Sequence, residues 1–190
     1  MASIEQQIIE TWRAHNRMMM FILDHIPDDA LKATLSSRGG RDIGRQFAHI
    51  HMVRVWHAEA SNKKSVKGLA TFEDGKSPDK KELLRALEQS GKAIESYLLR
   101  MIEKTGTVDN FKRSAVPILG YFISHEAHHR GSIMLILKQT DFKIPERLRW
   151  GIWDWNKFKD LKMNSADNQM KMNEILNAVL MLLIPKEARP

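Results

Sequence analysis

Apolar residues recur every three to four positions through four long segments of this sequence, the spacing of one buried helical stripe, and no segment alternates with the period of two that a half-buried strand requires. The first segment opens on Ser3 and Gln6, the Ser-x-x-Gln pattern of a capping box, and is stopped by Pro27 and two aspartates after Ile26. Its inward stripe reads Ile8, Trp12, His15, Met19 and Ile22. The second follows Gly39 and Gly40, takes Asp42 as its cap, and carries Phe47, His49, Met52, Val53, Trp56 and Ala60 on the face expected to be buried. A hydrophilic loop over residues 61–76 separates it from a third helix, for which Ser77 is the expected cap and Pro78 the first-turn residue. The third stripe is Leu83, Leu87, Ser90, Ile94, Tyr97 and Met101, ending before Gly106. The fourth helix is expected from Ser114 to Gln139, with Pro117 harmless in its first turn.

Helices of about 20 to 27 residues joined in this way predict an all-α fold, a four-helix bundle of largely antiparallel neighbours, and the loop after the second helix is long enough for a crossover. Beyond the fourth helix an irregular stretch carries Trp150, Trp153 and Trp155. It is expected to plug one end of the bundle, the other reading being a roof over the site. A last amphipathic segment with Met172, Ile175, Leu176, Val179, Leu180, Leu182 and Leu183 predicts an additional C-terminal helix, packed across the bundle or used as a subunit interface. The expected organisation is therefore a helical bundle over residues 1–160 and an amphipathic extension over 161–190, with no internal repeat.

Composition narrows the chemistry. With 43% hydrophobic and 28% charged residues the chain has the balance of a globular protein rather than a disordered or membrane-spanning one. The N-terminal stretch lacks the charged and apolar regions of a secretion signal, which makes a cytoplasmic location the expectation. There is no cysteine, so a disulfide framework, a thiolate zinc site and a catalytic thiol are all excluded, and any metal must sit on His, Asp or Glu. A net charge of +7 raises nucleic acid as a partner. The lysines, however, are spread over loops and solvent faces (Lys63, Lys64, Lys67, Lys76, Lys80, Lys81) without a reading helix or stacking aromatics, which argues for a solvated basic surface.

The histidines are the concentrated signal. His125 and His129 stand four residues apart, about 40° apart around a helix, on one stripe with Phe122, Ser132 and Ile136. A buried imidazole without a partner costs about 1 to 3 kcal/mol, so something must satisfy the pair. His49, on the inward stripe of the second helix, could meet them across the bundle, and three imidazoles on two helices leave open coordination positions for water or substrate. His128 is also a helical neighbour of His125, although the stripe favours His129. His15 is expected as a buried polar filler rather than a fourth ligand or a partner of one, and His25, His51 and His57, off their stripes, as surface residues. Arg130, directly after the second ligand, is expected to anchor structure more than to tune charge at the site.

Two segments, FAHIHMVRVW with His49 seven before Trp56, and ISHEAHHRGSI with two histidines at the fourth-residue spacing before Arg-Gly, resemble the signatures of the DinB/YfiT-like family of helical-bundle metalloproteins. The resemblance spans residues 3–159. It implies a four-helix core, a divalent metal on His49, His125 and His129 in preference to His128, and frequent homodimers. Characterised relatives include transferases that use bacillithiol- or mycothiol-type thiols, and other members are assigned only as metal-dependent hydrolases. Ser132 departs from the glutamine that the family often has after Arg-Gly.

HEAHH also matches the H-E-x-x-H of zinc proteases, with Glu126 as general base, but the chain offers no strand against which to lay a peptide, and its third histidine lies upstream. The expected function is thus a metal-dependent transferase using an external low-molecular-weight thiol, or a hydrolase, acting on a small molecule without nucleic acid or membrane. The alternative is a non-catalytic metal-binding stress or interaction module. Three imidazoles suit Zn, Ni, Mn or Fe alike.

Overall fold

The computed structural model describes residues 2–38, 40–103 and 114–160, and all of their regular structure is helical. Helix α1 (Ile4–His25) begins in the capping box expected of Ser3 and Gln6: the Gln6 backbone N–H donates to Ser3 Oγ at 3.3 Å and the Ser3 N–H to Gln6 Oε1 at 2.9 Å. Helix α2 (Ile43–Ser61) begins where Asp42 Oδ1 accepts from the Arg45 N–H at 2.7 Å. Helix α3 (Lys80–Glu103) starts later than the Ser77 expectation. Its reciprocal cap is Asp79 with Glu82, each side chain accepting from the other's backbone N–H, while the Ser77 hydroxyl donates to Asp42 Oδ1 at 3.3 Å and ties the head of α3 to that of α2. Helix α4 (Ala115–Gln139) carries Pro117 in its first turn as expected. Two short helices, α5 (Glu146–Gly151) and α6 (Trp155–Asp160), replace the irregular stretch predicted there. The amphipathic C-terminal helix expected over 161–190 lies outside the described residues.

The order of directions follows from which residues meet. Trp12 Nε1 donates to Gly91 O at 2.9 Å, Arg13 pairs with Glu95, and Lys80 reaches back to Asp28, so α1 and α3 run antiparallel. Residues of α2 meet residues about 35 positions ahead in the α3 region (Asp42 with Ser77, His51 with Ala86, Arg54 with Leu87), which is a parallel pair. Gln46 meets His129 and Arg54 meets Glu126, making α2 and α4 antiparallel, and His15 with Glu126 and Met18 with Arg130 make α1 and α4 parallel. The bundle is up-down-down-up, and residues 62–79 return the chain along its length, a span of about 28 Å that a chain covering ~3.3 Å per residue bridges easily. His51 pins that crossover: its two ring nitrogens lie 2.9 Å from Ala86 O on α3 and 2.8 Å from Ala70 O in the loop.

The predicted stripes of α1 and α3 are buried throughout. That of α2 is rotated. Phe47 and Val53 are inside, but His49 and Met52 are half-buried and Trp56 and Ala60 exposed, while Ile50, His51, Arg54 and Ala58 face the interior. The cause is a polar layer that divides the core. One apolar cluster gathers Met18, Met19, Ile22, Phe47, Leu87, Ile133 and their neighbours, and a second gathers Ile8, Trp12, Ile94, Tyr97, Ile118 and Phe122. Between them lie His15, Asn16, Arg54 and Glu126. Gly91 is required at this level, since a Cβ there would stand 2.7 Å from Asn16 Cγ. The bundle end near Phe21 is closed by Leu148, Ile152 and Phe158, not by the tryptophans: Trp150 and Trp153 are 65% and 70% exposed and Trp155 is also outside.

Candidate metal centre

His49 from α2 and His125 and His129 from α4 converge across the antiparallel pair, each offering a ring nitrogen, with those nitrogens all within 4.8 Å of one another. Ring centroids lie 5.4 Å apart for His49 and His125, 5.0 Å for His49 and His129, and 4.8 Å for His125 and His129. His128 is exposed and outside this group. What turns the pair toward α2 is Glu126, whose carboxylate occupies the core. On a helix the residue before it and the residue three after it fall on one side, about 60 to 100° from the core direction, which is the groove between α4 and α2.

Glu126 is fully buried and completely engaged. Arg54 Nε donates to Oε1 at 2.7 Å and Nη2 to Oε2 at 2.6 Å, and His15 Nε2–H donates to Oε2 at 2.9 Å. Arg54 Nη1 goes to Asn16 Oδ1 and Leu87 O, and the guanidinium lies 4.9 Å from the Trp12 ring centre. Burial alone would raise the carboxyl pKa, but the charge and hydrogen bonds of Arg54, helped by His15, overcome it and hold Glu126 at about 2. A carboxylate buried in the core, with both oxygens bound to Arg54 and one also to His15, is committed to that ion pair and is not placed as the general base the protease pattern requires. His15 is thereby a partner of Glu126 and no part of the three-histidine group.

The three rings are tuned to be neutral donors. Burial, followed by the proximity of His125 and His49, pushes His129 down to about 3; burial lowers His49 and His125 as well, with Arg41 adding to each. His129 Nδ1–H donates to the buried Gln46 Oε1 at 3.3 Å, which leaves Nε2 with its lone pair. His125 Nδ1 is buried with no hydrogen-bond partner. Neutral rings converging in a partly dry groove, one of them with a buried nitrogen that has no hydrogen-bond partner, fit a borderline divalent cation.

Other expectations shift. His51 is wholly buried, and His25 and His57 are half-buried, His25 donating from Nδ1 to Phe21 O at 2.8 Å and His57 packing edge-on to Phe122 and Tyr121; none is a surface residue as predicted. Arg130 Nη1 donates to Met18 Sδ at 3.5 Å, the structural anchoring expected of it. Ser132 is half-buried and lines a cavity beside His129. Gln46, Arg54 and Arg41 were missed as site residues in the sequence; Arg54 and Arg41 carry no signal there, whereas Gln46 has one, a polar side chain three before His49 among Phe47, Ile50 and Ile43.

Fold and site together define an all-α bundle with a three-histidine group able to hold a metal ion. The sequence model of the DinB family matches residues 1–141, one residue past the Thr140 cap of α4, and the chain belongs to the DinB family. A search of curated proteins found no match. Among the described residues no helix is long and apolar enough to cross a membrane.

Proposed function

We propose that His49, His125 and His129 hold one divalent transition metal and that the chain is a metal-dependent enzyme, a transferase that uses an external low-molecular-weight thiol or a hydrolase. The observation that carries this reading is the convergence of three ring nitrogens within 4.8 Å. Bound there, the cation supplies Lewis acidity to a water or to a thiolate.

The chain's own residues arrange the rest. Gln46 orients the His129 ring through Nδ1. The Arg54–Glu126–His15 layer fixes the rotation of α4, and with it the two histidines that flank Glu126. On the open side two cavities of about 220 and 340 Å³ flank the group, the first reached past His49, Met52 and Trp56 and the second past His129 and Ser132. Trp56, 54% exposed and edge-on to His49, offers an apolar wall to a substrate. The chain has no cysteine, so the sulfur of a thiol transfer must come with the substrate.

One observation favours a second reading, a non-catalytic module in which the cation staples α2 to α4: the carboxylate next to His125 is spent in the core and supplies no base. Purified protein assayed for metal content, thiol conjugation to an electrophile and ester hydrolysis separates the two. The enzyme reading expects turnover that chelation abolishes and metal restores. A melting temperature that falls on chelation with no turnover in either assay establishes the staple.

A further inference from the structure

Arg41 stands at the one place on the open side that both cavities share. It is exposed, it has no hydrogen bond or ion pair to any described residue, and it is close enough to disfavour protonation of all three histidines. Its backbone is set by a tight loop. Ser36 Oγ accepts from the Gly40 N–H at 2.9 Å and the Arg38 N–H at 3.3 Å, and a side chain at Gly40 would bring its Cβ to 2.5 Å from Ser36 Cβ.

The larger cavity, the one beside His129, is lined by Arg41, the hydroxyls of Thr34, Ser36 and Ser132, His128 and apolar Leu135, with no acidic residue in its wall. Glu73 and Asp74 line the other cavity that Arg41 shares, but neither is within ion-pair distance of it, so among the described residues its guanidinium is uncommitted and, beside these hydroxyls, can receive a planar anion through charge-assisted hydrogen bonds. A single guanidinium matches a single negative charge. We propose that the substrate or thiol that reaches the three-histidine centre carries a carboxylate, and that Arg41 binds this carboxylate in the cavity beside His129 while the other end of the molecule lies at the histidines. This rests on the metal-centre reading above and names the substrate class for it: a small organic carboxylate. Ser36, Thr34 and Ser132 are the hydroxyls placed to complete its hydrogen bonds.

The test uses full-length protein loaded with cobalt(II), whose ligand-field bands report an occupied site and whose thiolate charge-transfer band reports thiol binding without any turnover. The probes are 3-mercaptopropionate and its neutral amide, 3-mercaptopropionamide. The protein as it stands is expected to bind the carboxylate about ten- to a hundredfold more tightly, the range for one charged hydrogen-bonding partner. In Arg41→Gln the ratio should collapse to about one, and Arg41→Lys should restore part of it, since a lysine keeps the charge without the fork. Arg13→Gln, on the α1–α3 side, should keep the full ratio. Equal affinities in the unmodified protein, or a preference that persists in Arg41→Gln at unchanged cobalt content, overturns the assignment. Failure of the underlying centre looks different: ligand-field bands are then missing before any thiol is added, and both readings fall together.

Discussion

Replacing Glu126 with glutamine keeps the shape of the side chain and removes its charge, and the structure sets the consequence. Arg54 has no exposed surface, so its guanidinium would be left as an uncompensated buried cation. The amide can accept only through its single oxygen, so one of the two contacts, at 2.7 and 2.6 Å, becomes a clash of N–H donors. Breaking a buried pair from one side costs about 3 to 5 kcal/mol. For a chain of this size that is about 6 to 20 °C in melting temperature. The assay is urea and thermal unfolding by circular dichroism, with chelator present so that metal does not enter. The double variant Arg54→Met with Glu126→Leu removes both charges and should recover most of the loss, because the desolvation of both ions is removed with the attraction. The pH dependence carries a sign. Glu126 has its pKa depressed to about 2, so its contribution is full above the ordinary carboxyl range, about 4.5, and is lost as pH falls toward 2; Glu126→Gln should lack that acid-side slope. A loss under about 1 kcal/mol, the scale of an exposed pair, or a double variant no better than the single one, would show that the layer does not hold the core in the way argued.

Metal content measured by elemental analysis should fall from about one ion per chain to near background in His49→Ala and His129→Ala, and stay unchanged in His128→Ala; equal retention in all three removes the centre. Gln46→Leu should weaken metal affinity about 10- to 100-fold with the fold intact, as expected when the group orienting a ligand ring is lost, and an unaltered affinity denies Gln46 that role. Since burial depresses His129 to about 3, the free ring stays neutral well below the ordinary histidine range; metal competition with protons at this ring should therefore set in only at more acid pH than for a free imidazole, and half-loss of metal near pH 6.5 under weakly competing conditions contradicts it. His51→Ala should raise hydrogen exchange across residues 67–79 and cost about 1 to 3 kcal/mol, because the buried ring that sits between the Ala70 and Ala86 carbonyls, and its hydrogen bond, are lost; unchanged exchange there removes the pin.

Helix limits at Ser3, Asp42 and Gln139, the buried stripes of α1 and α3, and the four-residue spacing of His125 and His129 are all decided within a few residues of chain, by capping hydrogen bonds and by the helical period, and these were legible in the sequence. Which polar side chain goes inside is settled by a partner from elsewhere. Arg54 and Glu126 lie 72 residues apart, and each reads alone as a surface charge; only their meeting makes burial tolerable, and that meeting turns α2 so that Trp56 faces out, His49 reaches the groove and His51 goes under. The same holds for Gln46, whose role needs His129 across the bundle, 83 residues on. The order of residues determined the helices and the histidine spacing, because those depend on local geometry. Tertiary structure decided the rotation of α2, the fate of Glu126 and the open face at Arg41, because a buried charge has no local energy minimum until its counter-charge arrives.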